Sequence, residues 1–423
     1  MIVLLAVILV VCLVLGFPMF MSMVVGSLAS MMIYMQNLDL SIVIQQLMAG
    51  ISSYVLLAIP MFIFAADLMS AGHTATRLVD FVKAIIGHVY GGLAITLAGA
   101  CTLFGAISGS SQATVVAIGR PLRGKLLEAG YRDTDVNGLI ISSANIATLI
   151  PPSISMIMYC VLTGTSVAEL FIAGIGPGLF IFAMFSVYNY FHARRLNIPR
   201  SSKTTLKEKW EVLKKSLLSL GFPVVIIVGI YSGTFSPTEA AAISVLYAFV
   251  CEVLIYKSVK VKDLYSIAIS TGAITAAVFI LIASGQIFSW VITYVQIPQK
   301  LTMAVLGPDP SAIGVLFVVT IFFFISCMFV DQIVAFLILI PIFFPVAIKA
   351  GIDPIHLGIV VAIQSAIGGV SPPFGCNIFT ACAAFDEPYL KVVKGLPAYM
   401  IMYFIISILI IFVPQIATIY RFF

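Results

Sequence analysis

The chain has 423 residues, of which 61% are hydrophobic and 9% charged, with a formal net charge of +5 and a mean hydropathy of +1.16. Soluble domains carry roughly 25% charged residues, so this composition excludes a soluble globular protein. Continuous apolar runs, as opposed to alternating ones, exclude a β-barrel. The uneven placement of the charge bears on membrane topology and not on nucleic acid.

The chain opens on an apolar stretch with no charged leader and no cleavage site, read as a retained span. A break at Gly16-Phe17-Pro18 makes residues 1–35 a short hairpin. Residues 103–114 interrupt an apolar run with Gly105, Ser108, Gly109, Ser110, Ser111 and Thr114. Apolar flanks of about 15–20 residues predict a re-entrant hairpin whose tip stops near the bilayer midplane. Arg120, Arg123, Lys125 and Arg132 mark a cytoplasmic turn, and Ala129-Gly130 ends the helix there. The next segment, 136–162, holds Pro151-Pro152. Proline removes a backbone donor and clashes with the preceding turn, so the pair breaks the helix.

Segment 169–192 leads to the densest basic stretch, 194–215, with Arg194, Arg195, Arg200, Lys203, Lys207, Lys209, Lys214 and Lys215 against Glu208 and Glu211. It is predicted to be a cytoplasmic loop in which Trp210 anchors at the lipid interface. Residues 217–234 and 239–256 predict a hairpin turning at Ser236-Pro237 and returning to Lys257, Lys260 and Lys262. Residues 325–332 form a second interrupted apolar run, containing Asp331. Ala350-Gly351 ends a helix, and Pro372-Pro373 breaks the following one.

The two halves are related by an offset of 221 residues, which pairs Gly130 with Gly351, Pro151 with Pro372 and Ser110 with Asp331. It also pairs the basic segment 120–132 with 341–353, whose only charges are Lys349 and Asp353. Opposite charge bias at matching positions predicts opposite sides of the membrane. The expected fold is an all-α polytopic membrane protein, an inverted-topology repeat with two re-entrant hairpins and two broken helices. The expected division is 1–72 N-terminal scaffold, 73–163 first transport repeat, 164–300 scaffold helices, 301–384 second transport repeat and 385–423 C-terminal helix.

Paired broken helices in corresponding halves point to a secondary transporter's binding site. In a bilayer such breaks survive only inside protein or beside a water-filled cavity. Half-helix N-termini favour an anion, while carbonyls with Ser, Thr, Asn and Asp oxygens can replace the hydration shell of a cation. Asn145, Thr148, Ser153, Ser155, Ser371, Asn377 and Thr380 lie within a few residues of the breaks, each open to a helix-capping role as well. The Ser/Gly cluster at 105–111 reads either as a close packing face or as part of the site. Asp331 reads either as a buried helix N-cap or as a contact with a cation or substrate.

Enzymatic and ATP-driven machinery has no support in the sequence. Residues 119–126 match G-x-x-x-x-G-K, but Leu126 stands where a Mg²⁺-binding hydroxyl is needed. Ser108 misses the G-x-S-x-G spacing. The four histidines form no ligand pair, and the seven cysteines lie singly in apolar surroundings.

The runs Gly105-Ala-Ile-Ser-Gly-Ser110, Leu149-Ile-Pro-Pro-Ser153, Phe235-Ser-Pro-Thr-Glu-Ala240, Val330-Asp331 and Ser371-Pro-Pro-Phe-Gly375 together resemble the large membrane subunit of tripartite ATP-independent periplasmic (TRAP) transporters. The resemblance covers essentially the full length. It implies a bacterial inner-membrane location and elevator-type movement of a transport domain against a scaffold. It further implies Na⁺-coupled uptake of a small organic anion, such as a C4-dicarboxylate or sugar acid, with two or more Na⁺ per cycle. Two partners are implied: a small four-helix membrane subunit, expected as a separate chain, and a periplasmic substrate-binding protein. Substrate contacts would then fall to Ser108, Ser110, Ser153, Ser155, Asp331 and Asn377. The Na⁺ ligands would come from Gly105, Ser108, Asn145, Thr148, Pro151, Gly369, Ser371, Gly375 and Thr380. Two departures stand out: Thr114 replaces a frequent Asp, and Ile333-Val334 replace a Pro after the second-hairpin Asp. The Gly109–Val115 run looks nearer to dicarboxylate branches. The alternative is a self-sufficient ion-coupled cotransporter or antiporter of related architecture; a passive channel would not need the intramembrane Asp.

Overall fold

The computed structural model describes residues 2–35, 38, 39, 41–200, 203–307, 310–418 and 421. Among them seven helices are long and apolar enough to cross a membrane, and shorter apolar helices fill the spaces between. The N-terminal hairpin forms as expected: Ile2–Val14 and Met19–Tyr34 pack together across a turn at Gly16, whose φ is +76°.

The 221-residue offset carries over to helix boundaries. Added to Gly92–Ser108 it gives 313–329, against the observed Ala312–Phe329. Added to the chain from Ser111 to Glu128 it gives 332–349, which is the observed Gln332–Lys349. These four arms are the two hairpins, and each is about 26 Å long at 1.5 Å per residue. The first broken helix comprises Asp133–Ala144, a tight turn over Asn145–Thr148, and Ile154–Thr163. Its mate comprises Pro354–Val370 and Cys376–Phe385.

Side-chain contacts fix the relative direction of the two broken helices. Arg123, just before the first one starts, pairs with Asp133 and with Glu387, just past the end of the second, both at 2.5 Å. Lys391 joins the same network through Asp133 and Glu387. At the other end, Tyr159 near the finish of the first helix donates to Pro354 O at the start of the second, at 2.6 Å. The two broken helices therefore run antiparallel, which is the inverted repeat.

Around them stand Leu206–Tyr231, Pro237–Ile255 and the 32-residue helix Asp263–Tyr294. The last packs on Met19–Tyr34, Ser41–Ile51 and Ala58–Ala71, closing one continuous group. An arm helix, Thr74–Ile86, leads from this group to the first hairpin; Ile297–Leu306 is its counterpart before the second. The arm begins against Glu252, which is fully buried and accepts a 2.5 Å hydrogen bond from Thr74 Oγ1 and another from Ser258.

Two sequence expectations change. The basic stretch is not all loop, because a capping box of Thr205 and Glu208 starts a helix at Leu206, and Lys207 to Lys215 lie on it. Helix Val167–Arg195, grouped above with the scaffold, packs on Gly92–Ser108, Pro354–Val370 and Pro397–Phe412. Asn189 on it accepts from Tyr399 Oη at 3.0 Å, and Phe185 meets the rings of Tyr399 and Tyr403 edge-on. Its packing is with the hairpins and broken helices.

Candidate functional site

In the first half, the tip of the hairpin is drawn against the break. A Cβ at Gly105 would lie 2.7 Å from Ala147 Cα, and one at Gly109 (φ +59°) would lie 2.4 Å from Pro152 O. Only glycine allows either approach. Ser110 caps the second arm, its Oγ accepting from Ala113 N–H at 3.3 Å. Ser108 and Thr114 Oγ atoms are 3.2 Å apart, and Thr114 Oγ1 donates to Ser110 O at 2.8 Å. Thr114 thus ties the tip to itself, a structural role for this position. Below the tip, Thr148 Oγ1 donates to Asn145 O and Ser153 Oγ to Thr148 O, with Ser155 Oγ 3.0 Å from Ser153 Oγ.

The second half repeats this design. Phe374 N–H donates to Met328 O at 3.2 Å, and a Cβ at Gly368 would strike Cys327. Asp331 caps its arm as its repeat mate Ser110 does, with Oδ1 accepting from Ile333 N–H at 2.9 Å. The residue reaches the accessible surface of the tip. Pro151-Pro152 and Pro372-Pro373 are both cis.

The halves meet at the breaks. Gly369 approaches Asn145 so closely that a Cβ would sit 3.1 Å from Asn145 Oδ1. Gly369 O and Ser371 O both lie 2.8 Å from the Cβ position of Gly375, so two carbonyls converge on the second break. Ser111 Oγ reaches across to Asn377 Oδ1 at 3.2 Å. Asn145 Nδ2 and Asn377 Nδ2 are buried without a hydrogen-bond partner among the described residues. A buried, unpaired amide is expensive, and two of them lie at this crossing. Ser371 Oγ donates to Ile367 O, which leaves its lone pairs for a cation. Gly105, Asn145, Gly369, Ser371, Gly375 and Asn377 are thus brought together, while Thr380, bonded to Cys376 O, lies a turn beyond.

Sequence reasoning gave Ser111 no individual role and passed over an aromatic group beside the second break. Phe374, 55% exposed, stacks on Phe379 at 6.2 Å and lies 6.0 Å from Phe329. Tyr389 extends the group and donates to Pro373 O at 2.9 Å. Exposed phenylalanines flanking Asp331 and the Pro-Pro pair were the available signal, lost in a sequence where Phe is common.

The overall fold, with its two hairpins and two broken helices, has counterparts among solved structures. The chain superposes on the Alcanivorax borkumensis YdaH transporter with TM-score 0.60 at 13% identity, covering 88% of this chain and 87% of that one. It also superposes on Neisseria gonorrhoeae MtrF, an antimetabolite efflux pump, with TM-score 0.59 at 12% identity, covering 88% and 83%. Residues 6–416 match the family of the tripartite ATP-independent periplasmic transporter DctM component, and the chain belongs to it. It is a multi-pass inner-membrane transporter subunit. It is 51% identical to the ectoine/5-hydroxyectoine TRAP transporter large permease protein of Ruegeria pomeroyi, covering 97% of this chain and 96% of that one. It is 50% identical to the ectoine TRAP transporter large permease protein of Halomonas elongata, with the same coverages. The C4-dicarboxylate permease of Pseudomonas aeruginosa matches at 36% identity over 86% and 85%.

Proposed function

We propose that this subunit takes up a compact zwitterion of the ectoine type, driven by Na⁺, from a periplasmic binding protein and together with a small membrane subunit. Ectoine is a cyclic amidinium bearing one carboxylate, so its site needs both an anion-binding and a cation-binding side. The observation that carries the reading is the Asp331 carboxylate at the second hairpin tip, two residues from Phe329, whose exposed ring meets those of Phe374 and, beyond it, Phe379. A delocalised cation gains about 0.5–2 kcal/mol over an aromatic face, and the fixed negative charge adds to it. The substrate carboxylate suits the unpaired amides of Asn145 and Asn377 and the N-terminus of helix Cys376–Phe385. Na⁺ suits Asn145 Oδ1 and the carbonyls of Gly369 and Ser371, with Gly105 and Thr148 behind them. In this reading the hairpins and broken helices slide as a body against the Asp263–Tyr294 group.

Support also comes from the two ectoine permeases at half identity. The deciding experiment is uptake into proteoliposomes holding both membrane subunits, with the binding protein outside. Labelled ectoine should accumulate under an inward Na⁺ gradient and succinate should not. Accumulation of succinate alone would reverse the substrate reading. Undiminished uptake without Na⁺, or without binding protein, would remove that dependence.

A further inference from the structure

A second polar cavity lies far from the hairpin tips. It is a cleft of about 640 Å³ between the arm helix Thr74–Ile86 and the amphipathic start of Leu206–Tyr231. Arg77, Lys83 and Lys215 line it, with Asp80 as the one acid and Thr204 and Ser216 as neutral groups. Three cations against one carboxylate leave two excess positive charges in the cleft. The Arg77 guanidinium rests on the Tyr256 ring, 3.3 Å from its centroid, and spends one N–H on Lys215 O at 3.3 Å. Stacked this way, its remaining N–H groups keep the planar fork that suits phosphate. Neither the Lys83 nor the Lys215 ammonium group has a hydrogen bond or ion pair among the described residues. The walls are rigid: Ser216 Oγ donates to Arg77 O, and Thr204 Oγ1 donates to Ala84 O at 2.7 Å.

We propose that this cleft binds the phosphate headgroup of an anionic phospholipid. A basic pocket between membrane helices has the chemistry for such a headgroup. What selects a lipid over free phosphate is the neighbouring surface. Leu206, Trp210 and Leu217, on the same helix as Lys215, are all exposed. Cationic side chains beside exposed leucine and tryptophan are the pattern of a helix seated at the membrane interface. The headgroup touches both the arm and the scaffold helix, so it fixes the angle at the joint that leads into the first hairpin. The site is independent of the transported solute.

The test uses the full-length protein purified in neutral detergent and stripped of lipid. Dioctanoyl phosphatidylglycerol, dioctanoyl phosphatidylcholine and inorganic phosphate are titrated separately, read by native mass spectrometry and by Trp210 fluorescence in a Trp290→Phe background. Phosphatidylglycerol should bind at least about tenfold more tightly than phosphatidylcholine. Each cation near an anionic lipid is worth about fivefold, so the double variant Lys83→Gln/Lys215→Gln should lose roughly 25-fold in phosphatidylglycerol affinity. Both lysines are exposed, so the variant should keep its melting temperature. The control Lys207→Gln/Lys209→Gln, outside the cleft, should change affinity by less than about twofold. Unchanged phosphatidylglycerol binding by the Lys83/Lys215 variant would overturn the proposal. So would inorganic phosphate binding as tightly as the lipid.

Discussion

Gly105→Ala is the most direct probe of the crossing. The new methyl would lie 2.7 Å from both Cα and Cβ of Ala147, whereas carbon atoms pack at about 3.5–4.0 Å. The hairpin or the Asn145–Thr148 turn must therefore retreat by about 1 Å. Overpacking of this kind costs about 1–3 kcal/mol, which a protein of this size survives. The retreat is transmitted to Asn145, which faces Gly369 in the other half. A metal site tolerates about 0.2 Å in its ligand distances, so a shift several times larger removes a ligand. The expected result is a folded protein, melting a few degrees lower, whose half-saturating Na⁺ concentration rises at least about tenfold. Gly124→Ala is the control, since nothing lies within 4 Å of its Cβ position. The assay is Na⁺-dependent uptake in proteoliposomes at equal protein abundance. Native Na⁺ dependence in the Gly105 variant would show that the hairpin–break contact takes no part in ion binding.

Asp331→Asn should abolish uptake while keeping the fold, because Asn caps a helix about as well as Asp; near-normal uptake would reduce Asp331 to its cap. Phe374→Ala should raise the substrate KM by about 2–30-fold through loss of a cation–π face with little change in Na⁺ dependence, and an unchanged KM would refute the aromatic assignment. Arg123→Ala should lower stability by about 1–3 kcal/mol, less than a fully buried pair because its partners retain some solvent access; an unchanged melting curve would show the network idle. Impermeant thiol reagents should reach Lys125→Cys and Lys349→Cys from opposite sides of the membrane, and labelling from the same side would contradict the antiparallel packing.

The breaks were legible in the sequence because proline acts locally: no tertiary partner restores the donor that Pro151 or Pro372 lacks. The repeat was legible for the same reason, and its 221-residue offset predicted helix ends to within a residue at Gly92–Ser108 and Ala312–Phe329. What escaped was non-local. Val167–Arg195 looks like any apolar span, and only the Tyr399–Asn189 bond and the Phe185 ring contacts show which group it joins. Ser111 and Asn377 are 266 positions apart, so neither could suggest the other. The Arg123, Asp133, Glu387 and Lys391 network draws one member pair from each half. The Thr205/Glu208 capping box was readable, but the density of charge around it gave the stretch the look of a loop.

The repeat is symmetric in backbone and asymmetric in charge, and the asymmetry bears on energetics. Ser110 and Asp331 perform the same capping task at matching tips, so the fold does not require a carboxylate at either. Retaining one on the second tip places a single fixed negative charge where a cation-bearing solute can meet it. For a dianion, two Na⁺ leave the cargo electrically neutral, and the membrane potential adds nothing. For a zwitterion the same two Na⁺ carry two net charges inward. Each is worth about 2.3 kcal/mol per 100 mV, or nearly fiftyfold accumulation. If uptake is coupled to two Na⁺ as proposed, the net charge of the solute thus sets how much of the membrane potential its uptake can use.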